Sequence, residues 1–143
     1  MIEVALIVEM VTAILETSPA LTGLATWYGV GDGSGAVFRN GDPFALDAPY
    51  CAVDASEWAW MRGRGLFILS ESGKWRILQV ADSGHLYRAG PFWRSKYSEV
   101  YFTPAEADGE GPALQVAVDI PLKTFESIFG TTETQRVWAW VLE

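Results

Sequence analysis

Residues 113–130 read ALQVAVDIPLKTFESIFG. The first eight, ALQVAVDI, are a short apolar run rich in β-branched residues, the pattern of a buried strand. The last ten, PLKTFESIFG, change to helical spacing. Leu122, Phe125, Ile128 and Phe129 fall on one stripe, Pro121 suits a first helical turn, and Gly130 suits a C-terminal cap. Asp119 stands at the end of the apolar strand-like run. A carboxylate there is unexpected unless it is paired, caps a turn or does chemistry.

Working outward, the same signal occurs twice more. Asp54 follows YCAV and Asp82 follows ILQVA. Each ends an apolar run, and for any one aspartate a turn or cap is the ordinary explanation. Downstream, TQRVWAWVLE reads as the last strand, with Trp138 and Trp140 on one face and Val137, Ala139 and Val141 on the other. Upstream, GLFILSE and KWRILQVAD read as two strands joined by a tight turn at Ser72–Gly73. YCAVDASEW starts as a strand and turns helical over ASEWAWM. LATWYGV is the first strand. The segments GDGSG and RNGDP carry turn chemistry. GDGSG lacks the lysine and spacing of a nucleotide-binding loop. The expected fold class is mainly β: six or seven strands, a short helix before the last one, and closure into a barrel that removes exposed edges.

The stretch 86–113 breaks this regularity. It holds six aromatics among basic residues and then an acidic, glycine-rich tail, and it reads as an insertion in which SEVYFT is a possible extra strand. The first twenty residues, MIEVALIVEMVTAILETSPA, read as an N-terminal helix stopped by Thr17–Ser18–Pro19. It is too short to span a bilayer and lacks the basic start of a secretory signal. Export would need another route or a processed form, so the location is left unknown. The domain division is therefore 1–20, helix, and 21–143, barrel.

The chain has 143 residues, half of them hydrophobic and seven of them tryptophan, which suits one domain with an ample core. Net charge is −8, which argues against a nucleic-acid partner. One cysteine excludes an internal disulfide, and one cysteine with one histidine makes a zinc site improbable. Cys51 reads as a small buried apolar residue, since its nearest candidate base, His85, is 34 positions away. No cofactor and no metal are expected.

ATWYG with DGSG resembles the opening of the expansin and rare lipoprotein A group. AVDASEW, VADSGH and VAVDIPLKTFESIFG with RVWAWVL resemble the three-aspartate domain of membrane-bound lytic transglycosylase A and of resuscitation-factor-like cell-wall proteins. The resemblance covers roughly residues 24–84 and 114–142. It implies a six-stranded double-psi β-barrel and a polysaccharide partner of the peptidoglycan type. It makes Asp119 the acid/base, Asp82 its partner in the same groove, and Asp54 a structural residue. It also places Thr26 and Tyr28 facing the groove. The family has a short glycine-rich loop between its second and third aspartates, where this chain has its long aromatic insertion. The family's cell-wall members are usually exported.

The chemistry behind that expectation is simple. Cleaving a glycosidic bond needs an acid on the leaving oxygen, and hydrolysis needs a second carboxylate. A lytic transglycosylase uses a substrate hydroxyl as nucleophile, so one aspartate serves first as acid and then as base. Expansin-like barrels loosen polysaccharides without hydrolysis. Sugar rings also stack on aromatics, for which Trp27, Tyr28, Tyr87, Trp93 and Tyr97 are candidates. His85, three residues after Asp82, could bond a carboxylate or a sugar hydroxyl, or be an ordinary loop residue. Arg62 and Arg64 read as a solvated turn. The competing expectation is a non-catalytic structural subunit of a virion or cell-surface assembly, whose N-terminal helix and insertion make subunit contacts, including homo-oligomeric ones.

Overall fold

The computed structural model describes residues 8, 12, 16–29, 36–87 and 115–142. Six strands carry the architecture: β1 (Leu21–Tyr28), β2 (Tyr50–Asp54), β3 (Gly65–Ser70), β4 (Trp75–Gly84), β5 (Val116–Pro121) and β6 (Gln135–Leu142). They close into a barrel in the order β1-β5-β2-β4-β3-β6. Two neighbouring pairs are parallel, β1 with β5 and β2 with β4. The contacts of β5 with β2, β3 with β4, β3 with β6 and β1 with β6 are antiparallel. Parallel partners cannot be joined by a hairpin. The chain therefore meets β1's parallel neighbour only at β5, after the other side of the barrel has been laid down.

Alternation along the strands fills the interior. Ala25, Cys51, Val53, Leu66, Ile68, Leu78, Val80, Val118, Ile120, Val137 and Ala139 form one core with Met61 and Phe125. A 3-10 turn (Ala55–Glu57) and a short α1 (Trp58–Met61) follow β2, and α2 (Leu122–Phe129) follows β5. Of the stripe expected on Leu122, Phe125, Ile128 and Phe129, the last three are buried and Leu122 is half-buried, and Gly130 closes α2 with φ 70°. Pro121 ends β5 and sits at the N-cap.

Close backbone contact sets β1 against β5. The Leu24 N–H bonds to the Gln115 carbonyl at 2.9 Å. A Cβ on Gly23, whose φ is 149°, would strike that same carbonyl oxygen. Only glycine lets the two strands pair this way.

The N-terminal helix expected over 1–20 is not among the described elements; the first helical element begins at Ala55. Most of that stretch lies outside the described residues. Its expected end, residues 17–20, is irregular chain leading into β1. Pro19 has no N–H to continue a helix, while the Thr17 carbonyl accepts from the Trp140 indole and the Ala20 N–H bonds to Ala139. Of the insertion expected at 86–113, residues 88–113, with Trp93 and Tyr97, lie outside the described residues, as does the GDGSG loop. No described helix is long and apolar enough to cross a membrane.

Candidate functional site

One row of residues crosses four strands. Thr26 on β1 pairs with Asp119 on β5. Asp119 pairs with Ala52 on β2, and Ala52 pairs with Asp82 on β4. Residues directly opposite in adjacent strands put their side chains on the same face. The two carboxylates therefore share a face, with only an alanine methyl between them. At one strand spacing per step, their backbones stand about 10 Å apart.

The row faces away from the core, since Val118 and Ile120 on either side of Asp119 point inward. Register shifts at Leu24/Ala25 and at Cys51/Ala52 create it. At the second, Ala52 meets Asp82 and the extra residue, Ala81, joins a separate apolar cluster outside the barrel. Bulges of this kind re-aim side chains.

Two hydroxyls of β1 serve the two carboxylates. The Thr26 hydroxyl donates to Asp119 Oδ1 at 2.8 Å. The Tyr28 hydroxyl, two residues on and so on the same face, donates to Asp82 Oδ2 at 3.1 Å. Thr26 is buried, at 6% exposure, while Tyr28, Asp82 and Asp119 are half-buried. Burial pushes the Tyr28 phenol far above its ordinary range, and the charges of Asp82 and then Asp119 push it further. Tyr28 thus stays a neutral donor within electrostatic reach of both carboxylates.

The external cluster holds that phenol in place. Phe38, Ala48 and Ala81 are its buried members, with Tyr28, Phe44, Ala45 and Tyr50 packed against them. Phe44 lies 5.6 Å from Tyr28 and 5.2 Å from Phe38, and Phe38 meets Tyr50 edge-on at 5.0 Å. The same segment sends the Arg39 N–H to Asp82 Oδ1 at 3.0 Å. Asp82 is therefore fixed from two sides.

Asp54 is elsewhere. Its carboxylate is buried, at 8% exposure. Oδ2 accepts the N–H and hydroxyl of Ser56, and Oδ1 accepts the N–H groups of Leu86 and Tyr87. Burial alone would raise its pKa, but the four hydrogen bonds outweigh that and hold it below the ordinary value. It caps the 3-10 turn and ties down the chain at 86–87. Tyr87 is engaged there too, its hydroxyl donating to Glu57 at 2.9 Å.

His85 is exposed past the end of β4 and makes no hydrogen bond among the described residues. Trp27 is half-buried, and its indole donates to the Thr132 carbonyl. Arg62 and Arg64 are exposed. Cys51 is fully buried, and burial followed by the Asp119 charge pushes its thiol up, in keeping with a small buried apolar role. No cluster of metal-ligating side chains occurs among the described residues. Sequence reasoning missed Arg39, Phe38 and Phe44. They lie in what reads as turn chemistry, and no periodicity marks them.

Neither the family models nor the curated proteins contain a match to this chain. Among solved structures it is similar to the apo crystal structure of an expansin from Clavibacter michiganensis, with a TM-score of 0.52 and 20% sequence identity. The likeness covers 85% of this chain and 50% of that one, so the chain spans about half the length of the expansin. It shows a shared barrel fold.

Proposed function

We propose that this is a double-psi barrel that binds a polysaccharide across the Thr26–Asp119–Ala52–Asp82 row and acts on it with Asp119. The observation that carries the reading is the row itself. Two carboxylates share one outward face, each held by a hydroxyl from the same strand, over a residue too small to obstruct a ligand. The interleaving of the parallel pairs β1/β5 and β2/β4 supports the double-psi assignment, and the expansin likeness supports the barrel.

Peptidoglycan is the substrate class favoured by the resemblance of VADSGH and VAVDIPLKTF to the three-aspartate domain. The reaction that a single working aspartate supports is lytic cleavage. Protonated Asp119 gives its proton to the glycosidic oxygen as the bond to the anomeric carbon breaks. The hydroxymethyl oxygen of the same sugar then bonds to that carbon, and its proton passes to the Asp119 carboxylate. Proton and charge balance without a second nucleophile. The Thr26 hydroxyl orients Asp119, and Tyr28 with the Arg39 N–H holds Asp82 on the same face. No cofactor takes part.

Turbidity loss and product analysis on purified peptidoglycan test this, with Asp119→Asn beside the wild type. Anhydro-sugar products from the wild type and none from the variant are expected. Binding without products from either would reduce the function to expansin-like loosening.

A second reading has an observation of its own. Trp75 and Ile77, two apart on β4, are 50% and 47% exposed, and Trp75 stacks on Phe67 at 5.3 Å. Exposed apolar surface of this kind suits a scaffold that assembles with further copies. Absence of both products and peptidoglycan pelleting, from folded protein, would favour it.

A further inference from the structure

Beside the row stands a cation that the proposed reaction does not use. The Arg39 guanidinium lies over the ring of Trp58, 4.8 Å from its centroid. Its Nη1 donates to the Ser83 hydroxyl at 2.8 Å. Ser83 is the residue after Asp82, and the Arg39 N–H itself bonds to Asp82. The guanidinium is thereby fixed at the Asp82 end of the row from three directions. Arg39 is exposed, and among the described residues no carboxylate stands within ion-pair distance of its guanidinium.

This arrangement is unusual for a surface arginine. In a chain of net charge −8, a surface cation would ordinarily find an acidic neighbour. Here Asp82 is adjacent, yet it takes the main-chain N–H, and no described carboxylate pairs with the guanidinium. The guanidinium is planar by its own resonance, and its place over the indole restrains that plane. One edge is committed to Ser83. The other presents the fork that matches a carboxylate.

We infer that Arg39 is a specificity-determining subsite for a carboxylate borne by the polysaccharide, at the unit bound past Asp82. The inference rests on the polysaccharide reading above. The wider surface sets the spacing of the ligand's charges. A densely anionic polymer would be repelled by a protein of this charge, whereas a chain with isolated carboxylates can set one of them against Arg39. Two sources share that chemistry: uronic acids within the chain, and the free carboxylates of peptidoglycan's peptide substituents.

Pelleting and affinity electrophoresis in about 0.15 M salt, where exposed charges beyond about 8 Å are screened, test it. The ligands are homogalacturonan with only sparse free carboxylates beside the fully methyl-esterified form, and peptidoglycan before and after amidation of its carboxyls. Wild type is expected to prefer a free-carboxylate form over its blocked form by about five- to tenfold, the scale of a partly exposed charged pair. Arg39→Gln should bring that ratio close to one, and Arg39→Lys, which keeps charge without the fork, should fall between. Preference in the homogalacturonan pair assigns the uronate, and preference in the peptidoglycan pair assigns the peptide carboxylate. Equal binding of free and blocked forms by wild type overturns the subsite while leaving the polysaccharide reading intact, as does a ratio that survives Arg39→Gln. Wild type that binds none of the four ligands overturns both.

Discussion

Asp54, Asp82 and Asp119 carry the same sequence signature and do different things. Each closes an apolar run of the sequence, so sequence position marks all three as unusual but cannot say what satisfies each carboxylate. The structure separates them by partner. Asp54 accepts four hydrogen bonds from Ser56, Leu86 and Tyr87, which suits the structural role expected for it. Asp82 and Asp119 accept hydroxyls of β1 across the barrel. Asp54→Asn should cost about 1–2 kcal/mol at pH 7, the range for losing a cap and hydrogen bonds to a charged acceptor. The pH dependence follows from the direction of its shift. A folded-state pKa below the ordinary 3.8 means that the stabilisation is fully present above that value. It is lost as pH falls through the lower, folded-state pKa. Urea unfolding of the two proteins should therefore differ at neutral pH and converge in acid. A gap that persists into acid would assign the effect to packing.

At the level of elements, the strands, the hairpin and α2 were legible because periodicity and turn residues state them directly. Strand pairing was not. Nothing in LATWYGV says that β1 lies parallel to β5, because that neighbour is about ninety residues away and is selected by closure of the whole barrel. The resemblance implied a six-stranded barrel and named no pairing. The register that brings Thr26 to Asp119 depends on Gly23, which permits the approach of Gln115. Gly23→Ala should cost about 3 kcal/mol, since the clash is with backbone and cannot be relieved by a rotamer. Gly130→Ala is the control: its φ is also positive, but nothing stands within 4 Å of an added Cβ, so only conformational strain of about 1 kcal/mol applies. Chemical denaturation separates them. Equal losses would mean that the β1–β5 contact is not tight in solution.

For the whole molecule, what sequence could not show is that the site is built outside the barrel on a second apolar cluster. Phe38 and Phe44 lie in a segment of turn residues, yet they hold Tyr28 over the row. A core of alternating strand residues is readable; a loop that folds back to make its own small core is not, because no period announces it. The two cores meet at β2, where Tyr50 faces the outer cluster and Cys51 the inner one. That makes Cys51 a reporter for the integrity of the barrel. Its side chain is fully buried, and burial, then the Asp119 charge, disfavours its thiolate. Both effects disappear on opening, so alkylation must pass through an open state. Labelling by iodoacetamide at pH 8 should be at least a thousandfold slower than for the urea-unfolded chain. It should also accelerate with urea in step with unfolding. The Gly23→Ala variant, which weakens the neighbouring β1–β5 seam, should label faster than Gly130→Ala. Rapid labelling of the folded wild type would mean that β2 opens without global unfolding. The row through Ala52 would then be no rigid platform, and the proposal that it positions two carboxylates for chemistry would lose its physical basis.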